Sequence, residues 1–470
     1  MTGKVSTMEI GGDFVSNPIP QILATLAVAT SSFSLGAIIA WTSPSIPDLE
    51  RTGSLGILTL EDKSWIASLV TIGALLCGPF SGYIIEKCGR RSSLQIFAII
   101  MTIGWCLMST GLNVLVMCVG RFLTGFAMGG NIHITMVYLS EISEEKIRGI
   151  LMSLTYIECA LGILYIYVLG SFVSWFTLTV TNIVFPVISF CSLFFIPESP
   201  LHLMNKGRKK EAGDALMWLR RADSFEQIES EFRKLLEISL QPTSKNGDVI
   251  QENFSAFTRG NLGALAIVVG LMLCQQLSGV NAVVFYSLFI FDTAGTGLDP
   301  NMCSIIVGVV ILVSVFINLM LIDRVGRRVL LIVSQLGMTL SLVSLGTFFY
   351  LKKENGGETP PGLSLLPLFC LISFMVTYNF GAGPVPWIMM GELLPIQIKR
   401  FGCAFATSLN WVLAFIVTKY FENLVVLLDI HMCYFLFGGF CFIGLIFCIM
   451  WVPETRGKSL EAIQMLYFPK

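Results

Sequence analysis

Residues Gln275-Gln276-Leu277-Ser278-Gly279-Val280-Asn281-Ala282-Val283-Val284-Phe285-Tyr286 put three amide side chains within seven positions of an otherwise apolar stretch that starts near Leu262. Each amide brings donors and acceptors that hydrocarbon cannot satisfy, so a membrane helix tolerates them only against a wet cavity or against one another. Amides both donate and accept, which suits a neutral ligand covered in hydroxyls better than an ion. An unbroken helix turns 100° per residue and would scatter Gln275, Gln276 and Asn281 around its girth. Gly279 permits a local break that could bring them together.

The composition sets the frame for that stretch. The chain has 470 residues, 54% hydrophobic and 13% charged, with a mean hydropathy of +0.76. Such a composition belongs to a polytopic membrane protein, so the lipid bilayer is its first partner. A net charge of −1 gives no reason to expect a nucleic-acid partner. The 13 cysteines are scattered, many within apolar spans (Cys77, Cys118, Cys274, Cys448), and read as small core residues rather than a disulfide or metal framework. His133, His202 and His431 lie far apart and form no metal or catalytic constellation, and no phosphate-binding glycine loop is present. No cofactor, metal or enzymatic activity is expected. The stretch to Pro20 lacks the basic-then-apolar layout of a cleaved signal peptide, which leaves targeting to the first membrane helix.

A span needs about 20 apolar residues, and twelve candidates are present: 21–41, 64–85, 92–112, 114–139, 149–171, 176–196, 261–290, 302–322, 329–350, 364–390, 401–424 and 431–452. An even count puts both termini on one side. Of the 30 Lys and Arg, four (Arg51, Lys63, Lys352, Lys353) fall in loops on one face and two (Arg121, Lys419) within spans, which leaves 24 on the other face. That face is expected to be cytoplasmic. The segmentation is then 1–20 and 454–470 as cytoplasmic ends, 21–197 and 260–453 as six-helix bundles, and 198–259 as a cytoplasmic loop. Periodicity predicts two short helices in that loop, near 208–222 and 226–239. The triplet Asn253-Phe254-Ser255 also lies there, on a side where it would not be glycosylated. Glu231 to Leu236 can be read as an acidic dileucine signal or, at helical spacing, as packing residues.

Three features recur in the same order in both halves. Glu86-Lys87-Cys88-Gly89-Arg90-Arg91 returns as Asp323-Arg324-Val325-Gly326-Arg327-Arg328, 237 residues later. Glu141 leading to Arg148-Gly149 returns as Glu392 leading to Lys399-Arg400, and Pro197-Glu198-Ser199 returns as Pro453-Glu454-Thr455, at offsets of 251 and 256. Such repetition predicts two similar bundles with the ligand between them. The fold class expected is an all-α membrane protein of twelve transmembrane helices in two pseudo-symmetric six-helix bundles.

These pieces, with Arg121 to Gly129, Gly381-x-Gly383-Pro384-x-Pro386-Trp387, Asn410-Trp411 and Pro453 to Gly457, resemble the sugar porter family of the major facilitator superfamily over nearly the whole chain. Among its subgroups the chain looks most like the insect facilitated trehalose transporters, through Thr42 to Pro47 and Thr418-Lys419. Carried over residue by residue, the resemblance implies sugar contacts at Gln275, Gln276, Asn281, Asn379, Trp387, Asn410 and Trp411, with Tyr286 near the outer gate. Indoles would cover the CH face of a pyranose while amides pair with its hydroxyls. The chain departs from the glucose-transporter pattern at Tyr156 and Ile311, where a glutamine and an asparagine are usual, and at Asn379, where a glutamate is usual. Each lost hydroxyl partner would weaken hexose recognition by about 1 kcal/mol, and the altered pocket could suit a disaccharide. Met136 and Lys399-Arg400 also depart from the family pattern.

The repeated charges imply a cytoplasmic gate of Glu86, Arg90, Arg91, Glu141, Arg148 and Glu198 in the first half and Asp323, Arg327, Arg328, Glu392, Lys399 and Glu454 in the second. Such pairs would tie the bundles when the site faces out and part when it faces in. Alternatively, Arg90, Arg91, Arg327 and Arg328 merely fix topology. Proton-coupled relatives carry a carboxylate in helix one, and the span from Gln21 to Trp41 has none. Facilitated diffusion of trehalose or a related small-molecule sugar, by a monomer in the plasma membrane or an endosomal one, is the expectation. The alternatives are a hexose substrate, a proton symporter using Glu158, and a sugar receptor without transport. Glu158, near the middle of helix five, is otherwise expected to hold a structural partner on a neighbouring helix. Arg121 is expected to be held between helices, Lys419 to extend outward to the interface, and Gly120, Gly125 and Gly129 to permit close packing.

Overall fold

The computed structural model describes residues 17–144, 146–240 and 259–458. Asn253-Phe254-Ser255 and the side chains of Asp323 and Arg400 lie outside the described set. Six spans make the first bundle: Ile19–Ala40, Leu60–Cys88, Arg90–Ser109, Val114–Ile142, Arg148–Gly170 and Trp175–Ser192. The first is prolonged almost without interruption by Thr42–Thr52. Span seven runs as Arg259–Gln276, Val280–Phe285 and Ser287–Ala294, followed by span eight, Pro300–Val325, and span nine, Arg327–Glu354. Span ten is broken into Leu366–Phe380 and Val385–Leu393. The helix Ile396–Met450 contains spans eleven and twelve, parted at Asp429 (φ 65°, ψ 154°). Among the described residues the chain thus folds as twelve spans in two bundles, the arrangement expected.

Polar residues set where these helices begin. Asp62 N donates to Thr59 Oγ1 (3.2 Å) and Thr59 N to Asp62 Oδ2 (3.0 Å), a reciprocal cap that opens span two. Asn113 and Ser174 accept from Val116 N and Thr177 N at the starts of spans four and six. Inside the bundle, small residues set the helix spacing. A Cβ on Gly125 would stand 2.0 Å from Val70 O, so spans two and four touch backbone to backbone, as a stripe of glycines permits.

The loop between the bundles folds back as Pro200–Asn205, Lys209–Arg220 and Glu229–Leu240, and Leu235 and Leu236 pack against Leu203, Met204, Ala212 and Ala215. Arg220 fastens this layer to span four. Its guanidinium donates to Ile142 O (3.0 Å) and pairs with Glu144 (3.2 Å) and Glu231 (2.6 Å). The face carrying these helices is called the loop side below, and the opposite face the far side.

Candidate functional site

Two interrupted helices meet at the amides. Span seven stops at Gln276 and resumes at Val280, with Gly279 at φ 79°, a left-handed conformation that glycine adopts without steric cost. Span ten stops at Phe380 and resumes at Val385, which frees the carbonyls between. Gln275 Nε2 donates to two of them, Ala382 O (2.9 Å) and Gly383 O (2.7 Å). Ala382 N in turn donates to Ser334 Oγ (3.0 Å), which steadies the break from span nine. Asn410 of span eleven donates through Nδ2 to Gln275 Oε1 (2.7 Å) and accepts at Oδ1 from Gln276 Nε2 (3.0 Å). Asn281 Nδ2 donates to Gln276 Oε1 (2.6 Å), which completes a chain of four amides. Gln275, Gln276 and Asn410 are buried, while Asn281 is half-buried at the open end.

The remaining sequence candidates stand outside that chain. Asn379, at the end of the first half of span ten, is half-buried, with its Nδ2 buried and without a hydrogen-bond partner among the described residues. Trp387 and Trp411 are half-buried against the apolar packing of the second bundle and of the main core. Tyr156 of span five is 39% exposed. Tyr286 is buried, donates to Thr418 O (3.2 Å) and lies 5.2 Å from the Phe421 ring, towards the far side.

On the far side, contacts cross between the bundles. Thr42 Oγ1 donates to Phe285 O (3.1 Å), Tyr167 OH to Val284 O (2.9 Å) and Leu288 N to Ser43 Oγ (3.0 Å). Lys419 is the correction here, because its side chain does not extend outward. It is 4% exposed and reaches across to span two, where Nζ donates to Glu61 Oε2 and Ser64 Oγ (both 2.6 Å) above the Trp65 ring. Lys63 lies 3.0 Å from Glu50 and 3.7 Å from Glu422 of span eleven. Sequence reading noticed Lys419 as a charge within a span, but its partners lie more than 350 positions away and left no local signal.

The loop-side charges repeat the sequence symmetry in three dimensions. Glu198 accepts from Arg90 N (2.8 Å) and Arg91 N (3.1 Å) at the start of span three. Glu454 accepts from Arg327 N (3.0 Å) and Arg328 N (3.1 Å) at the start of span nine. Both carboxylates therefore sit at the positive end of a helix, where unsatisfied N–H groups await acceptors. Burial pushes the Glu454 carboxyl up, but the N–H groups of Arg456, Arg327, Arg328 and Thr455 outweigh it and hold the group below its ordinary range. Arg90 pairs with Glu141 (2.7 Å) and Arg327 with Glu392 (3.4 Å). Arg91 donates to Ile196 O and Arg328 to Ile449 O.

Several gate candidates take other partners. Arg148 donates to Ser143 O (3.1 Å) and Lys399 to Gly391 O (2.8 Å), so neither meets the glutamate the sequence paired it with. Glu86 is exposed. The Arg90–Glu141 and Arg327–Glu392 pairs each join residues of one bundle. The expected tie between bundles is therefore not made by these pairs in the arrangement observed. Two further contacts escaped the sequence reading. His202 Nδ1 lies 2.7 Å from Arg90 Nη1, and a guanidinium can only donate, so that ring nitrogen is an unprotonated acceptor. Ser199 Oγ bonds Glu141.

The two charges flagged within spans behave differently. Arg121 is fully buried and donates to Ile66 O and Ile38 O (both 2.9 Å), with the Trp41 ring 5.4 Å away. Glu158 is half-buried and, contrary to expectation, holds no hydrogen bond or ion pair among the described residues.

Comparison with known proteins agrees with this architecture. The family profile described as "Sugar (and other) transporter" matches residues 33–467. The chain is 38% identical over 455 residues to "Facilitated trehalose transporter Tret1" of Drosophila erecta, covering 96% of this chain and 52% of that protein. It therefore spans about half the length of that relative. It is also 38% identical to "Facilitated trehalose transporter Tret1-2 homolog" of Drosophila sechellia, covering 94% of this chain and 90% of that one. Among solved structures it resembles the inward open conformation of the xylose transporter XylE from E. coli (TM-score 0.77, 22% identity, 94% of this chain and 99% of that one). The proton:xylose symporter XylE bound to 6-bromo-6-deoxy-D-glucose is similar at a TM-score of 0.74 and 22% identity, over 96% of this chain and 100% of that one. These relatives are transporters, not enzymes. With two six-helix bundles, paired loop-side charge motifs and a family profile spanning most of its length, the chain belongs to the sugar transporter family of the major facilitator superfamily.

Proposed function

We propose that the protein is a facilitative carrier that moves trehalose or a related neutral sugar across the plasma membrane by alternating access, with both termini and the loop side cytoplasmic. The observation that carries this reading is the chain of amides on spans seven and eleven. Its open end at Asn281 offers donors and acceptors but no net charge, which matches sugar hydroxyls and not an ion. Gln275, Gln276, Asn281, Asn379, Trp387, Asn410, Trp411, Tyr156 and Tyr286 form the sugar site in this reading. The repeated loop-side charges form the inner gate. Trehalose comes from the names of the insect relatives, and orientation from the excess of Lys and Arg on the loop side.

Uniport is supported by the surroundings of Arg121. Its Nε and Nη1 donate to backbone carbonyls, and span one contains no Asp or Glu to pair with it or to carry a proton. A second reading, proton symport through Glu158, is favoured by the lack of a partner for that carboxyl among the described residues. Uptake of labelled trehalose, glucose and fructose into proteoliposomes separates the two. Equilibration of trehalose without accumulation, unchanged by an uncoupler and by Glu158→Gln, is the expected outcome. Accumulation abolished by both treatments would establish the symporter, and no uptake of any of the three sugars would remove sugar transport itself.

A further inference from the structure

His202 closes a circuit of hydrogen bonds that the repeated charges alone would leave open. Its Nδ1 lies 2.7 Å from Arg90 Nη1. Arg90 Nη2 donates to Glu141 Oε1 (2.7 Å), Ser199 Oγ donates to Glu141 Oε2, and His202 N donates back to Ser199 Oγ (3.3 Å). Spans three and four are thereby fastened to Pro200–Asn205, the helix that follows span six. The ring is 7% exposed and lies against the turn between spans two and three, where a Cβ on Gly89 would stand 3.1 Å from its Nε2. The other half is built differently. The repeat offset of 256 puts Lys458 at the matching position, exposed and able only to donate.

The circuit accepts one protonation state of the ring. A guanidinium donates and never accepts, so Nδ1 must be bare for Arg90 to be bonded, and the ring carries its proton on Nε2. A second proton would set N–H against N–H and put a positive charge beside Arg90. The charged groups facing the ring are Arg90 of span three, Glu198 at the end of span six, and Lys206 and Arg208 of the loop, with Glu141 of span four beyond Arg90. Burial first, then Arg90, with Lys206 and Arg208 after it, outweigh the opposing pull of Glu198 and hold the imidazole below its ordinary value. The circuit's contribution is therefore complete above the ordinary histidine pKa and is lost as pH falls through the folded-state value.

We propose that His202 is a proton-released clasp: neutral, it holds Pro200–Asn205 to the start of span three, and on taking up a proton from loop-side water it frees that helix. The clasp concerns how the first bundle keeps its shape, so it stands whichever solute is carried. A carrier that swings whole bundles needs each to move as one body, so acid on the loop side slows transport.

The test measures hydrogen exchange of the full chain in nanodiscs, in peptides covering residues 200–208, corrected for the intrinsic effect of pH. Opening takes up one proton, so between about pH 7.5 and about pH 5.5 the corrected exchange rate of the wild type should rise about fivefold or more. His202→Asn keeps an acceptor near the place of Nδ1 and cannot be protonated. It should keep wild-type protection at neutral pH and change by less than about twofold over that range. His202→Leu, with neither acceptor nor proton, should exchange at neutral pH as fast as the wild type does in acid, and should stay there. The inference is overturned if His202→Asn or His202→Leu shows the wild-type rise, because another group is then titrating. Wild-type protection of His202→Leu at neutral pH would overturn it as well. In proteoliposomes with equal pH on both sides, labelled-trehalose counterflow should slow by about twofold or more over the same range in the wild type and not in His202→Asn. Equal slowing in both would deny the clasp its part in transport. No trehalose counterflow at any pH would count against the sugar reading instead, and the exchange measurement alone would then decide the clasp.

Discussion

An amide has two nearly isosteric orientations, and its neighbours choose between them. At Gln275 the choice falls to two backbone carbonyls, which is why a break in one helix can decide what a side chain on another displays. The indoles answer to a different force. Trp387 is half-buried with no indole hydrogen bond among the described residues, and its value to a sugar would be the apolar face it offers a pyranose ring. Trp387→Ala is expected to raise the half-saturation concentration for sugar about fivefold, corresponding to about 1 kcal/mol of lost stacking, at an unchanged amount of protein in the membrane. Uptake kinetics normalised to surface protein would read this, and unchanged kinetics would take Trp387 off the list of contacts. The amide group was legible because three polar side chains in an apolar stretch demand an explanation. The pairing of each with the next was not, since Asn410 lies 134 residues from Gln276.

Helix starts at the loop side are held by carboxylates from outside the helix. Glu198 and Glu454 each follow the last span of a bundle and reach back to the first N–H groups of its third span. The sequence displayed the Pro-Glu-Ser and Pro-Glu-Thr repeat but not this use of it, because a cap contributed from more than 100 residues away has no local spacing to betray it. Since folding holds the Glu454 carboxyl below its ordinary value, the unfolded chain binds the proton more readily. The cap's contribution is therefore present above the ordinary carboxylate pKa and is lost as pH falls through the folded-state value. Glu454→Gln is expected to lower stability at neutral pH by about 0.3–1 kcal/mol, the usual worth of a carboxylate at a helix start. It should also flatten the acid limb of the stability profile. Thermal melting in detergent between neutral and acid pH would measure both, and a variant with the wild-type acid limb would show that Glu454 does not act as the cap.

At the scale of the whole molecule, the two halves are joined on the far side by charges as well as by backbone contacts. Lys419 crosses to Glu61 and Ser64, and Lys63 lies near Glu422, so spans two and eleven are drawn together where a carrier's far-side entrance would be. These bonds hold the far side together in the arrangement observed, and removing them should shift the population towards one open on that side. Lys419→Met is expected to raise the labelling rate of a cysteine introduced at Phe289 by a membrane-impermeant thiol reagent by roughly twofold or more. Glu61→Gln should do the same, and the double variant should add little to either. Labelling at the wild-type rate in both single variants would show that the pair does not hold the entrance shut.

Hydrophobicity along the chain was enough to determine twelve spans and their division into six and six, because the bilayer imposes a length and an apolar character that each segment must meet alone, and the recurring charged motifs displayed the internal duplication. The polar residues inside those spans were equally visible as exceptions to that demand. Their partners were settled by three-dimensional packing: Lys419 crossed to Glu61, Arg121 found the carbonyls of Ile38 and Ile66, and Gln275 was locked onto the break in span ten. A buried polar group must be satisfied, but any neighbour brought within about 3 Å can do it, and which neighbour arrives depends on how whole helices pack.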